Sequence, residues 1–244
     1  MEKFTFLIAA LIAICFNTLP VYKLFGGQST TYISDNFTST IITPAGFAFG
    51  IWGVIFIMFI VVGVLNIKNP SLIDNKTLFY FVGSMVAISL WIVFYQLQVP
   101  FVPTFLLLTM LFYNFKVSFG LLSKIKHFYL IYTSLTLIAS IINVVILLQY
   151  DLEIKNLFGI PNPIVAIALL GVGTILFALV SYKFNSITPA LVGAWAYFGI
   201  YKVSSAVQPN QDIKLGAIIY AVILVVIAGM IFYKNQTEKK IITT

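Results

Sequence analysis

Three tryptophans set among other rings are the residues of this chain best suited to hold a ligand. Trp52 has Phe47, Phe49 and Phe56 nearby, Trp91 has Phe94 and Tyr95, and Trp195 has Tyr197, Phe198 and Tyr201. Such groups can line a pocket for a flat apolar molecule by stacking. They can equally face lipid or form an interfacial belt, and the residues alone leave both readings open. Asn143 is a polar group inside an apolar run and needs a partner there, a neighbouring helix or a ligand. Ionisable chemistry is sparse. No Asp, Glu, Lys or His falls in the middle of an apolar run, which counts against proton-coupled or ion-coupled pumping. The single histidine, His127, sits beside Lys124 and Lys126 and reads as an exposed loop residue, so no Ser-His-Asp set assembles around it. Asp151 and Glu153 form a carboxylate pair in a polar segment that reads as a solvated loop. The one cysteine, Cys15, makes no intrachain disulfide and reads as a small packing residue. No group has metal-ligand spacing. No catalytic residue, metal site or cofactor is expected.

The elements that must position these rings follow from composition. Of 244 residues, 61% are apolar and only 9% are charged, too few charges to cover a water-soluble surface. The apolar runs are continuous, not alternating, so they read as membrane helices and not as barrel strands. The formal net charge of +7 comes from scattered lysines between the runs, which is the pattern of membrane loops and not of a nucleic-acid surface. Eight runs are predicted, at about 4–21, 44–66, 77–97, 100–121, 128–149, 163–182, 187–203 and 213–233. The second opens at Thr43-Pro44, with Thr43 expected as N-cap and Pro44 in the first helical position. The third and fourth are separated only by Gln98-Val-Pro-Phe-Val-Pro103, which predicts a tight turn. The fold class expected is all-α, a polytopic transmembrane bundle of about eight helices.

With eight crossings, ten of the 14 lysines fall on the side of both termini and four on the other. Both termini are therefore expected in the cytoplasm. Residues 1–233 read as one transmembrane domain and residues 234–244 as a short polar, frayed cytoplasmic tail. The first external loop, about 22–43, is the longest and contains Asn36-Phe-Thr38, a glycosylation sequon of little weight. Gly50, Gly53, Gly171, Gly173, Gly193 and Gly199 are small residues suited to close helix packing. Ala217 and Ala221 form a small-xxx-small pair that serves helix packing within a chain or a homodimer. Ile42-Thr-Pro44 recurs as Ile187-Thr-Pro189, each followed by a tryptophan at a different spacing, a weak hint of a repeat.

The stretch Pro44-Ala-Gly-Phe-Ala-Phe-Gly-Ile-Trp52 resembles the Pro-Pro-Gly-Trp-Val-Phe opening of the second helix in the TspO/MBR family, the tryptophan-rich sensory or peripheral benzodiazepine receptor proteins. It is closer still to longer bacterial relatives that open Pro-Ala-Gly-(aromatic)-Ala-Phe-x-Ile-Trp-Gly. Ala139-Ser-Ile-Ile-Asn-Val144 and Pro189-Ala-Leu-Val-Gly-Ala-Trp-Ala-Tyr-Phe-Gly-Ile200 are similar to those relatives too. The chain departs from the compact family in several places. Ala45 replaces the second Pro, Phe47 follows the Gly, Ile88 stands where an Asn often precedes the helix-three Trp, and Leu135 lies near a family Trp. The compact family has five helices, so three are extra here.

The resemblance implies a TspO-like five-helix portion in a bacterial cell membrane. It implies a cavity for a porphyrin-like, sterol-like or other apolar small molecule beneath the first external loop. Pro44, Gly46 and Phe49 would shape its mouth, Trp52 and Trp91 would give stacking faces, and Asn143 a polar contact. Trp195 joins this ligand-binding set on its aromatic neighbours. The expected function is a receptor or carrier embedded in the lipid bilayer. A permease for a neutral solute is the alternative. A membrane enzyme acting on a lipid or isoprenoid is a further one, for which Asp151 and Glu153 would be the acid–base pair.

Overall fold

The computed structural model describes residues 2–18, 32–33, 40–99, 101–148, 152, 156–157, 160–203 and 211–243. Among them are eight α-helices: α1 Glu2–Thr18, α2 Ile51–Lys68, α3 Asn75–Gln96, α4 Val102–Gly120, α5 Ser123–Ile146, α6 Asn162–Phe184, α7 Thr188–Tyr201 and α8 Gln211–Thr243. They match the eight apolar runs one for one. A two-residue antiparallel ladder, Asn156–Leu157 against Ile160–Pro161, precedes α6. Among the described residues, six helical segments are long and apolar enough to cross a membrane: those of α3 to α6, α8, and Gly46–Lys68, in which a short 3-10 turn runs straight into α2. α1 and α7 are shorter. The 14 residues of α7 rise about 21 Å, against a hydrocarbon core of about 30 Å.

Contacts divide the chain into two compact units. The first holds Met1–Thr40 and Ile51–Ile154, and so contains α1 to α5. Its helices run alternately up and down. Gly63 on α2 leaves no room for a Cβ against Leu7 on α1. Gly120, closing α4, lies against Thr77 at the start of α3. Phe6 on α1 stacks on Phe81 of α3 with centroids 3.7 Å apart, and Phe59 of α2 meets Phe81 edge-on at 5.5 Å. Asp74 caps α3: its carboxylate accepts the Thr77 N–H at 2.6 Å. That backbone hydrogen bond is the main reason its pKa is held below the ordinary 3.8. The tight turn between α3 and α4 uses the left-handed region at two non-glycine residues, Gln98 and Phe101. Pro103 then occupies the first turn of α4, where no N–H is needed.

The second unit holds Ile41–Gly50 and Lys155–Thr244. Here α7 lies on α8, and α6 packs on both. Asn185, at φ 47°, supplies the left-handed residue that turns α6 into α7, and Asn235 on α8 donates to its carbonyl at 3.2 Å. Ser181 and Ser186 accept the N–H groups of Ala190 and Thr188, which caps the start of α7 from the end of α6. Gly193 on α7 faces Phe177 and Leu224, and Tyr197 donates to the Leu170 carbonyl at 2.7 Å. Ala217 and Ala221 are both buried within the chain.

Four local expectations change. Thr43 and Pro44 do not start the helix: residues 43–45 are non-helical and helical backbone begins at Gly46. The Ala45 N–H, a donor that an N-cap at Thr43 would have to accept, is instead given to Gly199 O at 3.1 Å. His127 is exposed as expected but lies in the first turns of α5, not in a loop, because that helix starts at Ser123. Cys15 is exposed on α1 and not a packing residue. The polar tail is helical through Thr243 as a continuation of α8, with Lys234 and Glu238 paired at 3.7 Å one turn apart. Asn36, Asp151 and Glu153 lie outside the described residues.

Candidate functional site

In the five-helix unit, α2 begins where α3 and α5 end. That brings Trp52, two residues into α2, Trp91, in the second half of α3, and Asn143, in the last turn of α5, toward one end of the unit. Asn143 is therefore not deep in its helix. Its side-chain N–H₂ donates to Ala139 O at 3.1 Å in its own helix, and its carbonyl accepts from Thr104 at the start of α4 at 3.2 Å. The tie between helices that the sequence suggested does exist, but it runs through the backbone carbonyl of Asn143.

Trp52 packs on Phe56 and meets Tyr132 of α5 at 6.0 Å, with an interplanar angle of 63°. Trp91 stacks on Tyr95 at 5.3 Å. Its indole N–H is buried and has no acceptor among the described residues. A buried donor left in this state costs about 1–3 kcal/mol. Ser84 and Trp91 are seven residues apart, so they share one face of α3 about 10 Å apart along its axis.

Below this end lies a polar core that the sequence reading missed. Asn114, fully buried on α4, accepts from Ser84 Oγ at 2.7 Å and from Tyr129 OH at 2.8 Å, and donates to Thr136 Oγ1 at 2.9 Å. Tyr132 OH lies 3.2 Å from Ser84 Oγ and 3.0 Å from Met110 Sδ, and its single proton serves one of them at a time. Ser118 and Thr133 add a further cross-helix bond at 2.8 Å. The signal was present: Tyr129, Tyr132, Thr133, Thr136, Ser140 and Asn143 recur at helical spacing on α5. Charge at depth is the usual mark of a buried polar site in a membrane helix, and this network has none.

The remaining sequence-predicted residues belong to the second unit. Pro44 is buried, its Cβ 3.0 Å from where a Cβ on Gly199 would stand. Trp195 donates from Nε1 to Ala48 O at 3.2 Å and takes Phe47 edge-on at 5.3 Å. Phe49 is exposed. Gly46 is exposed too, and a Cβ there would have nothing within 4 Å of it. Pro44 and Trp195 are thus brought to one place, on opposite sides of the same contact. Lys202, just past the end of α7, lies over Phe198 and Tyr201 at 5.5 and 5.4 Å.

Long apolar helices, outward-facing rings such as Phe79 and Phe105, and an interior held by neutral hydrogen bonds define an integral membrane protein in contact with the lipid bilayer. The sequence matches the family model described as TSPO-like protein over residues 3–230, and the chain belongs to that family. The match spans both units, so the three helices beyond the first five are part of the family pattern and not an appended domain. No curated protein and no solved structure matches the chain.

Proposed function

We propose that the protein is a membrane receptor or carrier that binds a flat apolar molecule, porphyrin-like or sterol-like, between the helices of its five-helix unit. The observation that carries this reading is Trp91: a stacked ring whose buried N–H lacks an acceptor among the described residues, at the same end of the unit as Trp52 and Asn143. An acceptor atom on a bound ligand satisfies that donor, and the indole faces supply the stacking surface. Trp52, Trp91 and Asn143 are assigned to ligand contact. Pro44, Gly46, Phe49 and Trp195 belong to the other unit, where Trp195 holds the segment around Ala48. The membrane is taken to be a bacterial cell membrane, and the lysine distribution supports a topology with both termini cytoplasmic, in which α1 and α7 also cross. For α7 that needs local thinning of the bilayer or flanking groups that reach the interface, as Lys202 can.

The test is protoporphyrin titrated into the detergent-solubilised protein, read by quenching of tryptophan emission. Saturable quenching at micromolar concentration is expected. Trp91→Phe, which keeps a ring and loses the N–H, weakens it by about tenfold, the equivalent of one charge-free hydrogen bond. Linear quenching, equal in wild type and variant, removes the porphyrin reading.

A further inference from the structure

We infer that a hydrogen bond from Tyr132 to Ser84 positions Trp52 against the helix that carries Trp91, which makes Tyr132 a positioning residue of the site; the consequence for ligand binding rests on the function proposed above. Every residue involved lies in the five-helix unit. Trp52, two residues into α2, is only half-buried. Among the described residues, its one ring contact outside its own helix is Tyr132 of α5, at 6.0 Å. Tyr132 is fully buried and also meets Phe59 of α2 at 5.0 Å and Tyr129 at 5.7 Å, each at an interplanar angle of 89°. Its hydroxyl, at the far end of the ring, reaches Ser84 of α3 at 3.2 Å.

The direction of that bond follows from counting protons. Ser84 has one hydroxyl proton and gives it to Asn114 Oδ1 at 2.7 Å, so Tyr132 is the donor where the two hydroxyls meet. Asn114 cannot turn its amide away from Ser84 without breaking two further bonds, because the same oxygen accepts from Tyr129 and its Nδ2 donates to Thr136. Met110 Sδ, at 3.0 Å, is the other acceptor for the phenol, but a thioether is a weak one. The Tyr132 ring is therefore held at its tip by α3 and on its sides by rings of α2 and α5. Ser84 and Trp91 share one face of α3, about two turns apart. Both indoles are thereby referred to one helix, Trp91 by its backbone and Trp52 through Tyr132. A flat ligand that stacks on indole faces binds best when those faces are already held, since ordering them on binding costs affinity.

The experiment uses the full chain in detergent, labelled with 5-fluorotryptophan, which gives one ¹⁹F resonance for each of the three tryptophans. Ser84→Ala removes the acceptor and leaves the Tyr132 ring chemically unchanged, so a shift at Trp52 reports movement. Tyr132→Phe removes the donor and keeps a ring. Ser118→Ala is the control: it deletes a buried cross-helix bond of the same unit, to Thr133, that involves neither Tyr132 nor a tryptophan. The Trp52 resonance is expected to shift in Ser84→Ala and Tyr132→Phe and to stay in place in Ser118→Ala, while that of Trp91 stays in place throughout and reports that the unit is folded. Porphyrin affinity is expected to fall about threefold in the first two, the equivalent of one hydrogen bond in a membrane. An unmoved Trp52 resonance in folded Ser84→Ala overturns the inference, and so does an equal shift in Ser118→Ala. If Ser84→Ala does not fold, Tyr132→Phe decides in the same way. A shifted Trp52 resonance with unchanged porphyrin affinity upholds the positioning and overturns the role of Trp52 in binding. Wild-type protein that does not bind porphyrin saturably overturns the porphyrin reading and leaves the fluorine shifts to decide on Tyr132.

Discussion

The two units hold their helices together by different means. In α1 to α5 the central bonds run from side chain to side chain: Ser84, Asn114, Tyr129 and Thr136 bond one another across three helices. In the second unit the bonds between elements described above end on main-chain groups: Tyr197 on Leu170 O, Ala190 N on Ser181, Trp195 on Ala48 O and Ala45 N on Gly199 O. Glycines at 193 and 199 bring the backbones close enough for that. The first design depends on which side chains are present, and the second on how near the chains approach. Lipid offers no hydrophobic drive between helices, so each unit must rely on such bonds or on packing.

Asn114→Ala is the strongest way to break the first design. Three side-chain bonds go at once, each worth about 0.6 kcal/mol on average in a membrane, and their buried partners are stranded. A loss of about 2–4 kcal/mol is expected in mixed-micelle unfolding. A loss no greater than that of Ser118→Ala would mean the network is incidental. Gly193→Ala attacks the second design by adding one methyl group. Its Cβ would stand 2.6 Å from Phe177 and 2.8 Å from Leu224, and both must give. A loss of about 1–2 kcal/mol is expected in the same assay. If Gly193→Ala were neutral, the backbones of the second unit would be less tightly set than the distances indicate.

Much of this was legible in the sequence. Eight apolar runs became eight helices because a continuous, non-alternating apolar run can satisfy its backbone in lipid only as a helix, and the segment ending at Pro103 marked the break between the third and fourth. The helix opening at Thr43-Pro44 was misplaced because a long-range bond from Ala45 to Gly199 overrides local capping preference, and no local signal encodes a partner 154 residues away. Trp52 and Trp91 fell at one end of a single unit, as alternating helices require. Pro44 and Trp195 instead came to a contact of their own, in a unit whose extent only the contacts reveal. Asn114 went unnoticed between Tyr113 and Phe115 because one amide hardly alters the apolar character of a run.

Asp74 sharpens the comparison by moving the side-chain design to an exposed site. Asp74→Ala removes the cap of α3 and is expected to cost about 1 kcal/mol. The folded carboxyl titrates below its ordinary 3.8, so its contribution is present above that value and is lost as pH falls through the lower folded pKa. The gap between wild type and Asp74→Asn should therefore close in acid. A gap that is independent of pH would show that the cap acts without its charge.

The smallest effect is expected at Gly46, and it discriminates best between the glycines. Gly46 opens the 3-10 turn, yet a Cβ there meets nothing within 4 Å, whereas one at Gly199 meets Ala48 and Pro44. Gly46→Ala should leave stability unchanged or raise it by up to about 0.5 kcal/mol, since alanine has less freedom to lose on entering a helix. Gly199→Ala should lower it. Two glycines that flank the same contact then differ in sign because only one lies where two backbones meet. Should Gly46→Ala weaken porphyrin binding without changing stability, Gly46 acts on the ligand's path and not on the fold.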